Sequence, residues 1–234
     1  MPARRTPFSR FESHPTRSSS VALADRAYDE LKRRILTCRL APGGTLKEKS
    51  LAVELGVTPE CVREACRRLA GEHLVHQRES GPLTVTRFTL ADIRELSELR
   101  RIVETKSAAL AAERARHDQV ARLLAAAELN YQPGERKTYE NYLRTNSAFH
   151  RQLARTAQNG WLEAAVVSIL EQIQRPLYLG LDMGLDAEEA TVEHLLIVDA
   201  VRRKRPALAA RLMGKQILAA EERMIEAFGN SGFA

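Results

Sequence analysis

Cysteine, glycine, proline and aromatic residues are all scarce in this chain. Three cysteines in 234 residues, Cys38, Cys61 and Cys66, are too few for a secreted disulfide framework and fit a reducing cytosol. No run approaches the ~18 consecutive apolar residues that a membrane-spanning helix needs. The basic N-terminus lacks an apolar core of about 7–15 residues, so it is not expected to act as a secretory signal. The chain also lacks a G-x-S-x-G elbow, a P-loop, an H-E-x-x-H pair and a Gly-rich nucleotide loop, which leaves an enzyme reading with no chemistry to rest on. What it does have is Ala, Leu, Arg and Glu in abundance, a composition that favours helices. With 44% apolar and 28% charged residues it reads as globular, and its length suits one large domain or two modest ones.

The charge is distributed unevenly. The formal net charge is +6, and Met1–Phe88 alone holds sixteen Lys/Arg against ten Asp/Glu, so the remainder is neutral. A basic third joined to a neutral remainder suggests a polyanion-binding module attached to a partner domain; a merely solvated basic surface would show the same pattern.

Residues 1–20 carry three prolines, several serines and Arg4, Arg5, Arg10 and Arg17 without periodicity, which reads as a mobile basic tail. From Ala24 the apolar spacing of Ala24, Tyr28, Leu31 and Ile35 predicts a helix that ends at Pro42–Gly43–Gly44. A short helix over Lys47–Leu55 is expected to stop at Gly56. Thr58 then supplies a capping hydroxyl, Pro59 a pre-set first helical residue and Glu60 a negative charge in the first turn of a third helix ending near Gly71. Two β-prone runs, Leu74–Arg78 and Leu83–Arg87, flank a turn at Glu79–Pro82 and read as a hairpin. Two short helices around a tight turn, followed by a hairpin, make a winged helix-turn-helix over 21–88 whose second short helix enters a DNA major groove. Residues 89–230 are expected to form an all-α bundle, with helices near 90–116, 118–131, 136–158, 160–182, 186–204 and 205–228. Thr89 is a cap candidate, Pro133–Gly134, Asn159–Gly160, Met183–Gly184 and Pro206 mark breaks, and Pro176 is expected to kink its helix or end it early.

The segment YDELKRRILTCRLAPGGTLKEKSLAVELGVTPECVREACRRLAGEHLV resembles the N-terminal domain of GntR-family transcription regulators. It shares the long first helix, R-L-x-P-G-x-x-L, L-A-x-x-L-G-V-T and V-R-E-A…R-L. The second half resembles the helical (FCD-like) effector domain of the FadR-type subclass through R-R-I-V-E at 100–104, N-S-A-F-H at 146–150, Asn159 and E-H at 193–194. The resemblance implies a homodimer with one winged domain per half-site of operator DNA. It also implies a small-molecule effector, usually a carboxylate, bound inside the bundle.

By that resemblance Arg63 is the strongest DNA-reading candidate. Arg can donate two bonds to guanine or grip a phosphate, and the alternative is an ion pair with a neighbouring Glu. Lys49 occupies a basic position of the family in the preceding helix and would meet the backbone. Thr58 caps the helix and can touch a phosphate, and Arg67 extends the same face. Gly81 either lets the wing tip approach the minor groove or is a turn glycine. Two departures stand out: Pro59 replaces a frequent Arg, and Glu60 replaces a frequent Thr or Ser. Glu60 can accept from cytosine N4 or pair with Arg63 or Arg67, which predicts an operator unlike the family's usual one. Cys61, in the first turn, reads as a packing residue; a redox switch is the alternative.

In the resembled subclass the bundle often holds a divalent metal through Asp and His of D-x-x-F-H, the His of E-H and a later His. Here those positions are Asn146, His150, His194 and Gln216. Two of the four are neutral amides, poor ligands for Zn²⁺ or Ni²⁺, so a divalent metal on His150 and His194, with Asn146 and Gln216 as weak ligands, is the disfavoured alternative and no other cofactor is implied. The four residues are expected to contact an effector directly or to form a buried polar network. Arg100 would suit a carboxylate, or would instead pair with Glu104 at i, i+4; Arg101 adjoins it, and Tyr142, Tyr178 and Asn159 are further candidates for the cavity. The expected function is a cytoplasmic, ligand-responsive DNA-binding regulator, most simply a repressor. The alternatives are an effector-independent regulator and an enzyme bundle carrying a DNA-binding appendage.

Overall fold

The computed structural model describes residues 17–77, 81–129, 132, 134–181 and 187–230. Among them it is mainly α, with a single two-stranded sheet. The described residues divide into two compact units. One holds the residues up to Lys32 with Thr45–Thr84; the other holds Arg33–Gly44 and everything from Val85.

Helix α1 (Arg17–Leu36), which lies in the first unit as far as Lys32, begins earlier than the composition suggests. Residues 17–20 are helical rather than part of a tail, because extending an existing helix by one turn is far cheaper than nucleating one. Residues 1–16 of the expected tail lie outside the described residues. Ala24, Ala27 and Leu31 are buried, whereas Tyr28 is only half-buried. Its hydroxyl donates to Glu72 at 2.5 Å, and the Arg68 guanidinium lies 3.9 Å from its ring centroid. A polar tip and a cation-binding face keep this tyrosine at the edge of the core.

Helix α2 (Glu48–Leu55) ends at Gly56, whose φ of 63° is left-handed and whose N–H returns to the carbonyls of Ala52 and Val53. Glycine reaches that conformation without Cβ strain, which is why the turn to the next helix falls there. Helix α3 (Pro59–Gly71) buries Cys61, Val62, Ala65, Cys66 and Leu69 along one stripe. Strands β1 (Val75–Gln77) and β2 (Leu83–Val85) pair with each other, and Thr45 adds an isolated antiparallel bridge to Thr84. Residues 78–80, which hold the first two residues of the expected wing turn, lie outside the described residues.

The second unit carries α4 (Leu90–Arg114), α5 (His117–Ala127), α6 (Arg136–Thr156), α7 (Gly160–Leu181), α8 (Ala187–Arg202) and α9 (Pro206–Asn230). The expected breaks at Pro133 and at Met183–Gly184 lie outside the described residues. Pro176 does not end α7, which continues to Leu181. Two apolar clusters hold the unit together, one around Ile93, Tyr139, Leu170 and Ile173, the other around Ala111, Leu123, Phe149 and Ile217. Trp161, the one tryptophan of the chain, is 89% exposed at the start of α7.

Helix α4 starts with a full capping box. Thr89 Oγ1 accepts from the Asp92 N–H at 3.1 Å, and the Thr89 N–H donates to Asp92 Oδ2 at 2.6 Å. Thr89→Ala removes half of this reciprocal pair and is expected to lower stability by about 1 kcal/mol. Urea titration followed by circular dichroism reads the loss as a lower midpoint at unchanged slope.

Candidate nucleic-acid interface and ligand cavity

Thr58 caps α3 as its sequence implies, accepting from the Cys61 N–H at 3.4 Å, with Pro59 at the first helical position. Glu60, Arg63 and Arg67 follow at i, i+3 and i+7, so they share a face opposite the buried stripe, and all three are exposed. The Glu60 carboxyl is held below the usual carboxylate range by its own backbone N–H, by the Thr58 hydroxyl and by the charge of Arg63. It is therefore an anion on the face that carries the cations. Arg63 donates to Glu48 of α2 at 3.0 Å while its side chain stays 61% exposed, and Arg67 pairs with Glu64 one turn back. Such exposed pairs are worth about 0–1 kcal/mol, so either cation can exchange its carboxylate for a phosphate or a base edge at small cost.

Lys49 is exposed on α2, and Gly81 is half-buried just before β2. Cys61 is buried, with Thr58 Oγ1 3.5 Å from its sulfur. Burial, with Glu48 nearby, pushes the Cys66 thiol up to about 11, so it stays protonated and unreactive at neutral pH.

Within the second unit a narrow cavity of about 10 Å³, room for about one water molecule, is lined by side chains from five helices. Arg100 comes from α4, Tyr142 and Asn146 from successive turns of α6, Leu177 from α7 and Ala190 from α8. Gln216, Ala220 and Arg223 of α9 complete the wall at i, i+4 and i+7. The structure thus brings Arg100, Tyr142, Asn146 and Gln216 together. His150 and His194 are not among the lining residues.

Those two histidines belong to a buried cluster. Arg100 Nε donates to Glu104 Oε1 at 2.7 Å, so the i, i+4 pairing foreseen as one alternative for Arg100 is present. The other oxygen of Glu104 faces His150 Nδ1 at 2.5 Å. Burial alone would raise the Glu104 carboxyl, but Arg100 and His150 beside it hold it at about 2. Glu104 is therefore a carboxylate, the Nδ1–H of His150 donates to it, and His150 Nε2 is left buried without a partner among the described residues. His194 stacks on Phe149 with ring centroids 3.8 Å apart and meets His150 edge-on at 5.3 Å. Burial, and then the proximity of His150, pushes the His194 imidazole well below its ordinary value, so it is neutral. Among the described residues neither ring nitrogen makes a hydrogen bond of ordinary geometry, the Ala127 backbone offering only a weak one, and Gln216 Oε1 is likewise buried and unpaired.

Three other candidates lie elsewhere. Asn159 accepts from the N–H groups of Trp161 and Leu162 at 3.1 and 3.2 Å, so it caps α7 and does not face the cavity. Tyr178 packs edge-on against Tyr139 at 5.6 Å, and Arg101 reaches toward Glu221 at 3.9 Å. The sequence reading missed Arg223, although its place seven residues after Gln216 on the same stripe was the available signal.

The donor set does not fit a divalent metal. Among the described residues no group of three or more His, Cys, Asp or Glu is placed to hold an ion. Glu104, the carboxylate nearest the histidines, is engaged by Arg100 and by His150 Nδ1. Asn146 and Gln216 would supply only neutral amide oxygens.

Comparison with known proteins accords with both units. Residues 23–85 match the model for bacterial regulatory proteins of the gntR family, and residues 95–219 match the FCD domain. The chain is similar to the HTH-type transcriptional repressor RspR of Escherichia coli strain K12. The two are 26% identical over 190 residues, covering 81% of this chain and 83% of RspR. It is 30% identical over 186 residues to a transcriptional regulator from an unstable DNA locus of Streptomyces ambofaciens, covering 80% and 78% of the two chains. The solved structure of McbR/YncC from E. coli shares the fold, with a TM-score of 0.69 at 19% identity over 88% of this chain and 98% of that one. No described helix is long and apolar enough to cross a membrane. These family matches place the chain in the GntR family of bacterial transcriptional regulators, its N-terminal DNA-binding unit followed by a helical FCD unit.

Proposed function

We propose that this regulator is a ligand-responsive repressor that binds operator DNA as a homodimer and changes its operator affinity when a small, carboxylate-bearing metabolite enters the FCD cavity. The observation that carries the ligand part is a pair of buried polar atoms without a partner among the described residues, Gln216 Oε1 in the cavity wall and His150 Nε2 in the cluster that includes Arg100. Buried polar groups are costly unless bonded, and a ligand supplies bonds that the chain withholds from them. Arg100, Tyr142, Asn146 and Gln216 form the wall the effector meets, and His150 and His194 back that wall. On the DNA side, Arg63, Arg67 and Glu60 read base edges from α3, while Lys49, Thr58 and Gly81 meet phosphates or the groove wall. A dimer is required because one recognition helix gives too little contact for a specific site, and a two-fold operator needs a two-fold protein. The cytoplasm is where operator DNA and a thiol-bearing regulator meet.

The test uses selected operator fragments and a panel of small organic acids. Binding should fall steeply with salt, as phosphate contacts release counterions. At least one acid should move the operator affinity. If operator binding is specific and no acid moves it, the effector-independent reading replaces this one.

The same reading predicts a cavity that works without metal. Elemental analysis of purified chain is expected to find well below one Zn²⁺ or Ni²⁺ per subunit. Asn146→Asp should raise metal affinity by restoring an anionic oxygen. One tightly held ion per wild-type chain would show that the amides are adequate ligands.

A further inference from the structure

Two arginines line the FCD cavity, Arg100 and Arg223, and their surroundings differ in kind. Arg100 is 1% exposed and faces a carboxylate that is 2% exposed, 2.7 Å away. Glu104 is further fixed by His150 at 2.5 Å, so neither partner of this ion pair can turn away without leaving a bare charge in the interior. An incoming anion at Arg100 would lie beside the Glu104 carboxylate, two like charges served by one guanidinium.

Arg223 has counter-ions that can leave. Its side chain is 22% exposed; Nη1 meets Glu189 at 3.1 Å, and Nη2 lies 3.7 Å from Glu193 Oε2. The Glu189 side chain is 58% exposed, so water takes over its solvation when the pair opens. Glu193 is the looser partner. Its Oε2 lies at ion-pair rather than hydrogen-bond distance from the guanidinium, and burial raises its carboxyl above the usual range while Arg223 opposes the shift. The same α9 stripe carries Gln216 two turns earlier, with Ala220 between them presenting only a methyl group. Gln216, with its unpaired Oε1, and Arg223 therefore stand in the same wall of the cavity.

We propose that Arg223 is the anion anchor of this cavity and that Arg100 is not a ligand-binding cation but the fixed counter-ion of Glu104. The ligand lies along α9 with its carboxylate at Arg223, displacing Glu189 and Glu193, and with a hydroxyl or other hydrogen-bond donor at Gln216 Oε1. This inference rests on the reading of the cavity as an effector site, and it identifies which residue makes that site select an acid over an uncharged analogue.

The test compares two four-carbon probes, the hydroxy acid D-erythronate and the uncharged polyol erythritol, by calorimetric titration of the full chain. Wild-type protein should bind erythronate at least tenfold more tightly than erythritol. Arg223→Gln should collapse that preference to within twofold while erythritol still binds, and Arg223→Lys should restore most of it; a misfolded variant would lose both probes together. An acid preference that survives Arg223→Gln but disappears in Arg100→Lys overturns the assignment. Equal binding of both probes to wild-type protein also overturns it, while leaving the cavity a ligand site. Binding of neither probe removes this inference and the effector reading together.

Discussion

Replacing Arg63 with alanine is expected to cost about 1–3 kcal/mol of operator affinity if its guanidinium grips a base, the range for losing a good bidentate contact. The helix should survive the change, because the side chain is 61% exposed and its pair with Glu48 is dispensable. Mobility shifts at several salt concentrations separate two roles. Loss concentrated at one operator position marks base readout; a uniform loss with a salt slope smaller by about one marks a phosphate contact. Wild-type affinity in Arg63→Ala would refute the assignment of α3 as the reading helix. Glu60 supplies a companion test, since an ionised carboxylate on this face repels phosphate and accepts from cytosine N4. Glu60→Ala should change the preferred base at one position; an unchanged operator profile would leave the unusual Pro59–Glu60 start of the helix without a role in reading.

The largest stability effect is expected at Glu104. Glu104→Gln keeps the shape but leaves Arg100 charged and unbalanced in the interior, a change that costs about 3–5 kcal/mol for a buried pair. The double variant Arg100→Met, Glu104→Leu should recover part of that loss, because removing both charges removes both desolvation penalties but leaves the His150 Nδ1–H without its acceptor. Denaturant titration of the two variants checks the pair. The pH dependence has a definite sign. Glu104 is depressed in the folded chain to about 2 from a usual value near 4.5, so it releases its proton more readily when folded than when unfolded. Its stabilisation is complete above about pH 4.5 and is lost as the pH falls from there toward 2. Acid titration should show this loss in wild-type protein and its absence in the double variant.

The parts legible in the sequence were those fixed by near neighbours. Thr58–Pro59 announces the start of α3, Gly56 the end of α2, and Thr89 with Asp92 the start of α4, because a cap is made within three or four residues. The Arg100–Glu104 spacing was visible for the same reason. What lay beyond reach was chemistry joining distant segments. That Glu104 would meet His150, 46 residues on, depends on how α4 and α6 pack. That Asn159 would turn to two amides of α7 rather than into the cavity depends on a helix start whose cap the Asn159–Gly160 break only hinted at. Arg223 was passed over because its charge suggests solvent, and only the packing of α9 shows that its stripe begins at Gln216.

The position of Trp161 decides how this protein can be observed. With Trp161 89% exposed at the first turn of α7, its emission is expected to be that of tryptophan in water and to change little when the chain unfolds. An emission-based melt would report a flat trace from a cooperatively unfolding molecule. The same indole is open to iodide quenching, so whatever shields it, a second subunit or another partner, would appear as a loss of quenching long before any change in secondary structure.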